Sequence, residues 1–438
     1  MSRADLSIIM EKIDVVIVGG GLSGLSCAYM LAEHNMQVIV VERGDFSGSK
    51  NVTGGRLYIE PISELAGTML DGAPFERKVV RERWSLLGDG NSVGIDFTGD
   101  KFRQEAHSHT LLRAHFDRWL ADRLMEKGVF VIPKYRVDSL LWEGENVAGI
   151  RAGKEEIYAN VVVAADGALS FMAEQAGLKP KMKPKDYAVG IKEVIELSEE
   201  KINDRFNVDE GEGCAHLFVG DVTKGLFGGG FLYTNRATVS LGIVVGIRAI
   251  MEKSPTIEAH TLIDTFKERY EIKRLIEGGT LAEYAAHVIP ETGYNGISKL
   301  YGNNILVTGD AAGFALNMGV TVRGMEFAIA SGVIAAETII RAKTSGDYSA
   351  KTLSYYENKL KESFVLKDLY NYRQMPEFLD NDDFFAYYPN IFPALVEKIM
   401  WFGREPKERL GKTIWEGLKN SGALNMKRLK TLYGMKKI

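Results

Sequence analysis

Residues 14–55 read DVVIVGGGLSGLSCAYMLAEHNMQVIVVERGDFSGSKNVTGG, and this stretch decides the fold of the chain. It begins with a β-branched apolar run up to Val18, which is typical of a buried parallel strand. The run passes directly into Gly19, Gly21 and Gly24, which have the spacing G-x-G-x-x-G, and then into a helical pattern. A second apolar run follows. Strand, glycines, helix and strand in this order predict a βαβ unit that binds a dinucleotide.

Each glycine has a physical role in such a unit. Gly19 permits the tight turn out of the strand, Gly21 leaves room for a pyrophosphate beside the backbone, and Gly24 lets helix and strand pack closely. The helix N-terminus offers free N–H groups to the phosphates. The second strand ends in Glu42, 18 residues after Gly24, close to the spacing of about 20 expected for an acid that accepts hydrogen bonds from ribose hydroxyls. The alternative is a glycine-rich turn without a ligand.

The composition excludes several classes of protein. The chain has 438 residues, enough for two or three domains, and its net charge of −4 gives no basic field that would indicate a nucleic-acid partner. Two cysteines, Cys27 and Cys214, cannot hold a four-cysteine iron–sulfur cluster, and their scarcity indicates the reducing cytoplasm. The seven histidines have no spacing typical of a metal site, so no metal is predicted.

The C-terminal part combines aromatic and basic residues. Residues 384–402 read FFAYYPNIFPALVEKIMWF, and residues 404–438 contain ten lysines and arginines against three glutamates. This combination suits docking on an anionic lipid surface or an acidic partner, and a packing subdomain with a solvated charged face is the alternative. The N-terminus lacks the apolar segment of a signal peptide, and no apolar run approaches 18 residues, so we expect no membrane-spanning helix.

The order of strand and helix patterns predicts an α/β fold in three parts. Alternating strands after residue 186 indicate a mostly antiparallel sheet inserted into the dinucleotide-binding domain. We therefore predict a discontinuous Rossmann domain from residues 1–85, 105–185 and 285–345, an inserted sheet domain from residues 86–104 and 186–284, and a helical C-terminal region from residues 346–438.

Further candidate binding residues lie at the ends of predicted elements. Arg113 is in the first turn of a helix predicted over 111–127, where the helix dipole disfavours a cation, so an anionic partner such as a phosphate would explain it. A solvated arginine is the alternative. Asp166 and Gly167 form a sharp turn at the carboxyl end of a strand, where open α/β sheets bind ligands.

Three later or intervening segments point to a flat cofactor. Gly54 and Gly55 suggest backbone laid against such a ligand, with a plain loop as the alternative. Asp310 follows a strand, where its carboxylate can accept hydrogen bonds from the ribityl chain of a flavin; alone, it is equally typical of a helix cap. The segment 317–324 enters a long helix, and Arg323 would lie where negative charge develops on a reduced flavin.

The chain resembles the FixC-type flavoproteins, relatives of electron-transfer-flavoprotein:quinone oxidoreductase. The resemblance covers nearly the whole chain and depends on VIVGGGLSGLSCAYMLA, ERGDFSGSKNVTGGRLY, YAVGIKEVIEL, GGGFLYTN with SLGIVVG, and GDAAGFALNMGVTVRGMEFAIASG. The first motif occurs in many flavoproteins, whereas SKNVTGGRLY and GGGFLYTN are much more specific. The resemblance implies FAD as cofactor and a glutathione-reductase-like FAD domain.

Site residues follow from the resemblance by position in these motifs. It implies that the loop from Gly228 to Tyr233 borders a second electron site, and that Arg323 tunes the flavin. No side chain is expected to act as a catalytic acid or base. The residues expected to bind FAD are Gly19, Gly21, Leu22, Ser23, Gly24, Glu42, Arg43, Gly54, Gly55, Arg113, Val137, Asp166, Gly167, Gly309, Asp310, Ala311, Gly319, Arg323 and Gly324.

The resemblance also implies partners. It implies electron uptake from an electron-transfer flavoprotein (FixA/FixB-like) by a cytoplasmic protein at the inner face of the cytoplasmic membrane. The larger quinone oxidoreductases carry a four-cysteine cluster domain at the C-terminus, but this chain has no cysteine after Cys214. FixC-like members use a separate ferredoxin-like protein (FixX-like), so the basic C-terminal region is a candidate docking site for it, and quinone is the alternative acceptor.

Two other functions are compatible with the same motifs. An FAD-dependent monooxygenase acting on an aromatic compound, or a reductase of isoprenoid double bonds, would carry the same turns at Asp166 and Asp310. A non-catalytic FAD-binding scaffold is the third alternative. We expect the redox relay, because FAD exchanges electrons singly or in pairs and the chain shows no recognisable catalytic triad.

Overall fold

The computed structural model describes residues 12–51, 55–428 and 430. These residues form two large sheets, a small hairpin and a set of helices. In chain order the strands are β1 Ile13–Val18, β2 Val38–Val41, β3 Gly55–Tyr58, β4 Lys78–Leu87, β5 Ser92–Thr98, β6 Ser108–Leu111, β7 Phe130–Ile132, β8 Ser139–Glu143, β9 Asn146–Ala152, β10 Glu155–Ala164, β11 Tyr187–Glu196, β12 Glu212–Gly220, β13 Gly228–Thr234, β14 Thr238–Gly246, β15 Thr280–Pro290, β16 Tyr301–Gly302, β17 Ile305–Val307, β18 Leu316–Asn317 and β19 Val322–Arg323.

The helices lie between the strands and after them. In chain order they are α1 Leu22–Glu33, α2 Ser63–Ala66, α3 Asp100–Gln104, α4 Arg113–Glu126, α5 Phe171–Gln175, α6 Glu199–Phe206, α7 Ile247–Lys253, α8 Ala259–Glu268, α9 Tyr270–Ile276, α10 Met325–Ser345, α11 Ala350–Leu353, α12 Tyr355–Glu362, α13 Phe364–Asn371, α14 Met375–Leu379, α15 Tyr388–Met400 and α16 Leu410–Asn420.

The first sheet is the predicted dinucleotide-binding sheet. Its order is β16-β17-β10-β1-β2-β7, and β1 pairs in parallel with both β2 and β10. Five of the six residues of β1 are buried because helices cover both faces of a parallel sheet. Helices α1 and α10 cross closely: a Cβ added to Gly332 would lie 2.2 Å from the carbonyl oxygen of Ser23. This contact fixes α1, and therefore its N-terminus, against the sheet.

The second sheet has nine strands and is antiparallel apart from one parallel pair, β4 with β12. Strands β3, β4 and β6 belong to it, so the predicted boundaries at residues 85 and 105 differ from the structure: residues 78–87 and 108–111 lie in this sheet, and β15 extends it to Pro290. The β4–β12 pairing joins segments about 130 residues apart, and the local pattern of apolar and polar residues cannot predict such a pairing. Helices α6, α8 and α9 pack on one face of the sheet, and the other face is turned toward the first sheet's ligand-binding edge.

The C-terminal region is helical, as predicted, and it lies against the second sheet. The backbone N–H of Asp89, between β4 and β5, donates to the side chain of Asn390 in α15 at 3.0 Å. Asn91 donates to Glu397 at 2.7 Å. Part of the predicted basic tail, residues 431–438, lies outside the described residues. Among the helices that the structure describes, none has both the length and the apolarity needed to cross a membrane.

Candidate functional site

A cavity of about 1680 Å³ lies between the carboxyl ends of the first sheet and the open face of the second. Of the nineteen residues expected to bind the cofactor, fifteen line it: Gly19, Gly21, Leu22, Ser23, Glu42, Arg43, Gly55, Arg113, Val137, Asp166, Gly167, Asp310, Gly319, Arg323 and Gly324. Gly24, Gly309 and Ala311 do not line it, and Gly54 lies outside the described residues. Residues that are scattered over 300 positions of sequence therefore come together at one site.

The glycine turn after β1 has the geometry of an anion-binding cradle. Gly19 has a φ of +111°, and a Cβ there would lie 2.2 Å from the carbonyl oxygen of Ala165, so only glycine fits. A Cβ on Gly21 would meet no atom within 4 Å, because this position opens into the cavity. Gly21 is the N-cap of α1, so unpaired N–H groups and the positive end of the helix dipole face the same space.

Glu42 braces this turn as well as lining the cavity. Its carboxylate accepts a hydrogen bond from the backbone N–H of Gly20 at 2.8 Å and another from Gly44 at 2.6 Å. A carboxylate has about four acceptor positions, so two such bonds leave capacity for hydroxyl groups in the cavity. The carboxylate thus holds the loop in shape and remains able to bind a ribose.

Three of the expected residues lie behind the cavity wall. A Cβ on Gly24 would lie 2.1 Å from the carbonyl oxygen of Gly19, so this glycine permits close packing of α1, as its spacing predicts. Gly309 has a φ of +59°, and a Cβ there would lie 2.6 Å from the hydroxyl of Ser23. Ala311 is buried in the core. Gly54 lies outside the described residues.

Arg113 is a partly buried ion-pair partner of a fully buried carboxylate and not a solvated arginine. Its guanidinium donates to both carboxylate oxygens of Asp117, at 2.9 and 2.7 Å, and it also lines the cavity. Asp117 lies one helical turn later on α4. It was not predicted as a site residue, because an i,i+4 ion pair is usually a surface feature. Asp310 is close enough to Arg113 to feel its charge. Burial raises the pKa of the Asp310 carboxyl, while the charges of His287 and Arg113 oppose that rise.

Asp166 has a structural role in addition to its place on the cavity wall. It accepts hydrogen bonds from the Ser170 hydroxyl at 2.7 Å and from the backbone N–H of Met172 at 3.1 Å. Burial raises the pKa of its carboxyl. These bonds secure the turn that leads into α5, and the turn borders the cavity at Gly167.

Arg323 lies at the other end of the expected cofactor path, with its charge compensated. It donates to Glu326 and to Asp368, both at 2.6 Å, and its guanidinium lies over the Phe327 ring at 4.9 Å. Neither carboxylate was predicted as a partner of Arg323; Asp368 comes from helix α13, 45 residues later. The charge at this place is therefore the sum of Arg323, Glu326 and Asp368 and not that of a lone cation.

The second sheet contributes residues that the sequence analysis missed. Lys192 and His287 line the cavity from β11 and β15, and Glu291 lines it just after β15. Burial raises the pKa of the Glu291 carboxyl to about 7. In the sequence, alternating polar residues of a strand indicate a solvent-facing side, so only the closing of one sheet over the other reveals that Lys192 and His287 face a cavity.

The cavity divides into a polar and an apolar region. Charged groups line it beside the glycine turn, on β11 and β15, and at Arg323. Apolar and aromatic side chains of β4, β5, α14, α15 and the turn between these two helices line the rest, including Trp84, Ile95, Met375, Phe384 and Phe392. No group of three or more potential metal ligands occurs within residues 12–51, 55–428 and 430, and Cys27 and Cys214 are both buried and unbridged there. The glycine cradle, the free helix end and the cavity size fit an FAD.

Two protein families match separate segments of the chain. Residues 14–97 match the family of FAD dependent oxidoreductases, and residues 187–289 match the ubiquinone-binding family of ETF-QO. The first segment contains the glycine turn and Glu42, and the second contains β11 to β14 and most of β15. Both segments contribute walls of the same cavity.

Curated relatives match along almost the whole chain. The chain is 40% identical to the probable electron transfer flavoprotein-quinone oxidoreductase YdiS of Escherichia coli (strain K12), over 95% of this chain and 97% of that protein. It is 39% identical to the protein FixC of the same strain, over 94% and 96%. It is 35% identical to FixC of Azotobacter vinelandii, again over 94% and 96%.

Solved structures show the same fold at low identity. A geranylgeranyl bacteriochlorophyll reductase-like protein from Thermoplasma acidophilum superimposes with a TM-score of 0.70, at 21% identity over 98% of this chain and all of that chain. The myxobacterial FAD-dependent halogenase CndH has a TM-score of 0.65 at 17% identity, over 95% and 91%. These likenesses confirm the predicted α/β FAD-binding fold with its helical C-terminal region.

Gly21→Val tests the cradle. We expect at least a tenfold lower FAD content after purification, because the new side chain occupies the space that Gly21 leaves for the pyrophosphate. The measurement is flavin absorbance per protein, with circular dichroism to verify the fold. Gly411→Val is the matched control, because Gly411 also faces open space but lies in α16. Full flavin content in Gly21→Val would show that the cradle holds something else.

Proposed function

We propose an electron-transfer role for this chain, which belongs to the family of FixC proteins and electron transfer flavoprotein–quinone oxidoreductases and is an FAD-dependent oxidoreductase. In this role it takes electrons from an electron-transfer flavoprotein (FixA/FixB-like). The electrons pass through FAD to a quinone or to a ferredoxin-like protein (FixX-like). The observation that carries this proposal is the single cavity in which an anion-binding glycine turn and an apolar arm meet. A nucleotide cofactor suits the first region, and an apolar acceptor suits the second.

FAD supplies the redox chemistry in this proposal, since it exchanges electrons singly or in pairs. The chain's own residues bind and orient it: the turn at Gly21 receives the pyrophosphate, Glu42 the ribose, and Asp310 the ribityl chain. The glycines of β13, Gly228 to Gly230, line the cavity opposite. An iron–sulfur cluster would come from the ferredoxin-like partner, because both cysteines of this chain are buried apart from each other in different core clusters.

Anaerobic reduction of the bound flavin tests the proposed donor. We expect rapid bleaching of the flavin absorbance by a reduced electron-transfer flavoprotein and none by NADPH, followed by reoxidation when a short-chain ubiquinone is added. Rapid bleaching by NADPH with an aromatic compound present would indicate a monooxygenase. NADPH bleaching coupled to loss of an isoprenoid double bond would indicate a reductase, the function for which only a likeness of fold exists.

Arg323→Ala tests the proposed tuning of the flavin. The substitution removes the cation but leaves the carboxylates of Glu326 and Asp368, so we expect the reduction potential of the bound flavin to fall by tens of millivolts. Spectroelectrochemical titration measures it. In Asp368→Asn the cation remains and one anion is lost, so the potential is expected to rise. Equal reduction potentials in the parent and the two variants would show that neither Arg323 nor Asp368 tunes the flavin.

We also propose that the protein lies peripherally on the inner face of the cytoplasmic membrane. The end of α15 and the residues after it expose Met400, Trp401 and Phe402, each 69–74% accessible, and Trp415 of α16 is exposed as well. Lys398, Lys407 and Lys412 lie among them in the sequence, and Lys407 lies over the Phe402 ring at 4.9 Å. Apolar rings with interspersed lysines favour binding at the surface of anionic lipid. Phe392 and Val396 of the same helix α15 line the apolar arm of the cavity.

Flotation with phosphatidylglycerol-containing vesicles tests this orientation. We expect the double variant Trp401→Ser and Phe402→Ser to lose about tenfold in vesicle binding, because two interfacial rings are removed. Trp142→Ser is the matched control, since Trp142 is also exposed but lies on β8, which joins the first sheet through β9 and β10. FAD content should stay unchanged in both proteins. Equal binding of the double variant and the parent would overturn the proposed surface.

A further inference from the structure

Strand β11 places Lys192 on the cavity side of the second sheet. Lys192 lies opposite Gly242 of β14 and Ala285 of β15, and Gly242 lies opposite Phe231 of β13. Residues directly opposite each other in antiparallel strands point to the same face. Neighbouring Ile191 points to the other face, into the core beneath helices α6, α8 and α9. Register therefore sets Lys192 among the side chains that face the cofactor domain.

Glycines on the neighbouring strand positions leave space around Lys192. A Cβ on Gly242 would lie 2.3 Å from the ring of Phe231, so this glycine lets the ring lie across β14. The ring reaches Lys192, whose ammonium lies 5.2 Å from the ring centroid. Lys192 is only 6% exposed and lines the cavity together with Gly190 and Gly229, which carry no side chain. A flat molecule that enters the cavity can therefore approach the ammonium over bare sheet backbone.

The charges around Lys192 come from several elements. Burial and the Arg113 guanidinium of α4 lower the pKa of the Lys192 ammonium to about 7, while Glu283 of β15 opposes this weakly. His287 of β15 and Tyr233 of β13 line the same cavity; burial lowers the pKa of the imidazole and raises that of the phenol, so both favour their neutral forms. Lys192 is thus a cation that gives up its proton near neutral pH.

We propose that Lys192 donates a proton to a carbonyl oxygen of a quinone bound flat against the glycines of β11 and β13. This inference rests on the proposed function. Reduction of a quinone to a hydroquinone consumes two electrons and two protons. The electron pair would come from the reduced cofactor, whose own protons are released to solvent on oxidation. One proton passes from the Lys192 ammonium to the oxygen that becomes a hydroxyl, and the second comes from solvent. The neutral amine then takes up a proton from solvent.

The test compares Lys192→Met and Lys192→Arg with a control, Lys267→Met, in the FAD-loaded protein. Lys267 pairs with Glu193 at 2.8 Å and does not line the cavity, so its loss should change none of the readouts. Two acceptors are used: ferricenium, which takes single electrons without a proton, and a short-chain ubiquinone, which needs protons. Rates are measured between about pH 5.5 and pH 9, a range that spans the pKa of Lys192.

We expect the parent protein to reduce ubiquinone fastest below pH 7 and to slow above it, because only the protonated amine is a donor. Lys192→Met should lose about 100-fold or more of the ubiquinone rate and keep the ferricenium rate and FAD content. In Lys192→Arg the decline near pH 7 should vanish at a low maximal rate, because a guanidinium keeps its proton. A ubiquinone rate in Lys192→Met equal to that of the parent would overturn the inference and leave the proposed function intact.

A second readout does not depend on turnover. Brief reductive methylation at pH 7 followed by mass spectrometry should label Lys192 ahead of ordinary lysines, because only the neutral amine reacts and an ordinary lysine is almost entirely protonated there. Ubiquinone should protect Lys192 and not Lys267. Labelling without protection would overturn the inference. A parent protein whose reduced flavin is not oxidised by ubiquinone at any pH would overturn both the inference and the quinone branch of the proposed function.

Discussion

The structure depends on a series of backbone contacts that only glycine permits. The turn after β1 lies against the Ala165 carbonyl at Gly19, helix α1 lies against that turn at Gly24, and α10 lies against α1 at Gly332. In each case an added Cβ would come within 2.1–2.2 Å of a carbonyl oxygen. These contacts leave α1 no freedom to shift along its axis, so its N-terminus stays at the cavity wall. The anion-binding end of the site is thus a consequence of close packing in the core.

The second sheet adds chemistry by covering this fixed edge. Because its cavity face is built from alternate residues of several antiparallel strands, register alone decides which side chains meet the ligand. A one-residue slip of β11 would send Lys192 into the helix-covered core and bring Ile191 to the cavity. Arg323 pairs with Glu326 and Asp368, and Arg113 pairs with Asp117, so the charges of both arginines are compensated at the wall of a largely apolar space.

Local patterns in the sequence predicted the parts of the site that follow from local geometry. The glycine spacing, the acid at Glu42 and the turns at Asp166 and Asp310 all lie in strand–turn segments that are recognisable within about 30 residues. The parts that were missed depend on distant partners. Pairing with β12 places β4 in the second sheet, and Asp368 reaches Arg323 from a later helix. The strand pattern around Lys192 does not show which of its two faces meets the cavity. The roles of individual residues toward FAD stay predictions.

The position of β17 in the first sheet has a consequence for biosynthesis. This strand pairs with β10, yet about 140 residues that include most of the second sheet separate the two in the chain. A nascent chain that has emerged only as far as β15 lacks β17 and α10, and with them the packing that holds α1. The nucleotide cleft therefore assembles late in translation, and the apolar arm, whose outer wall is α15, assembles later still. We therefore expect FAD to bind only after β17 and α10 have been synthesised.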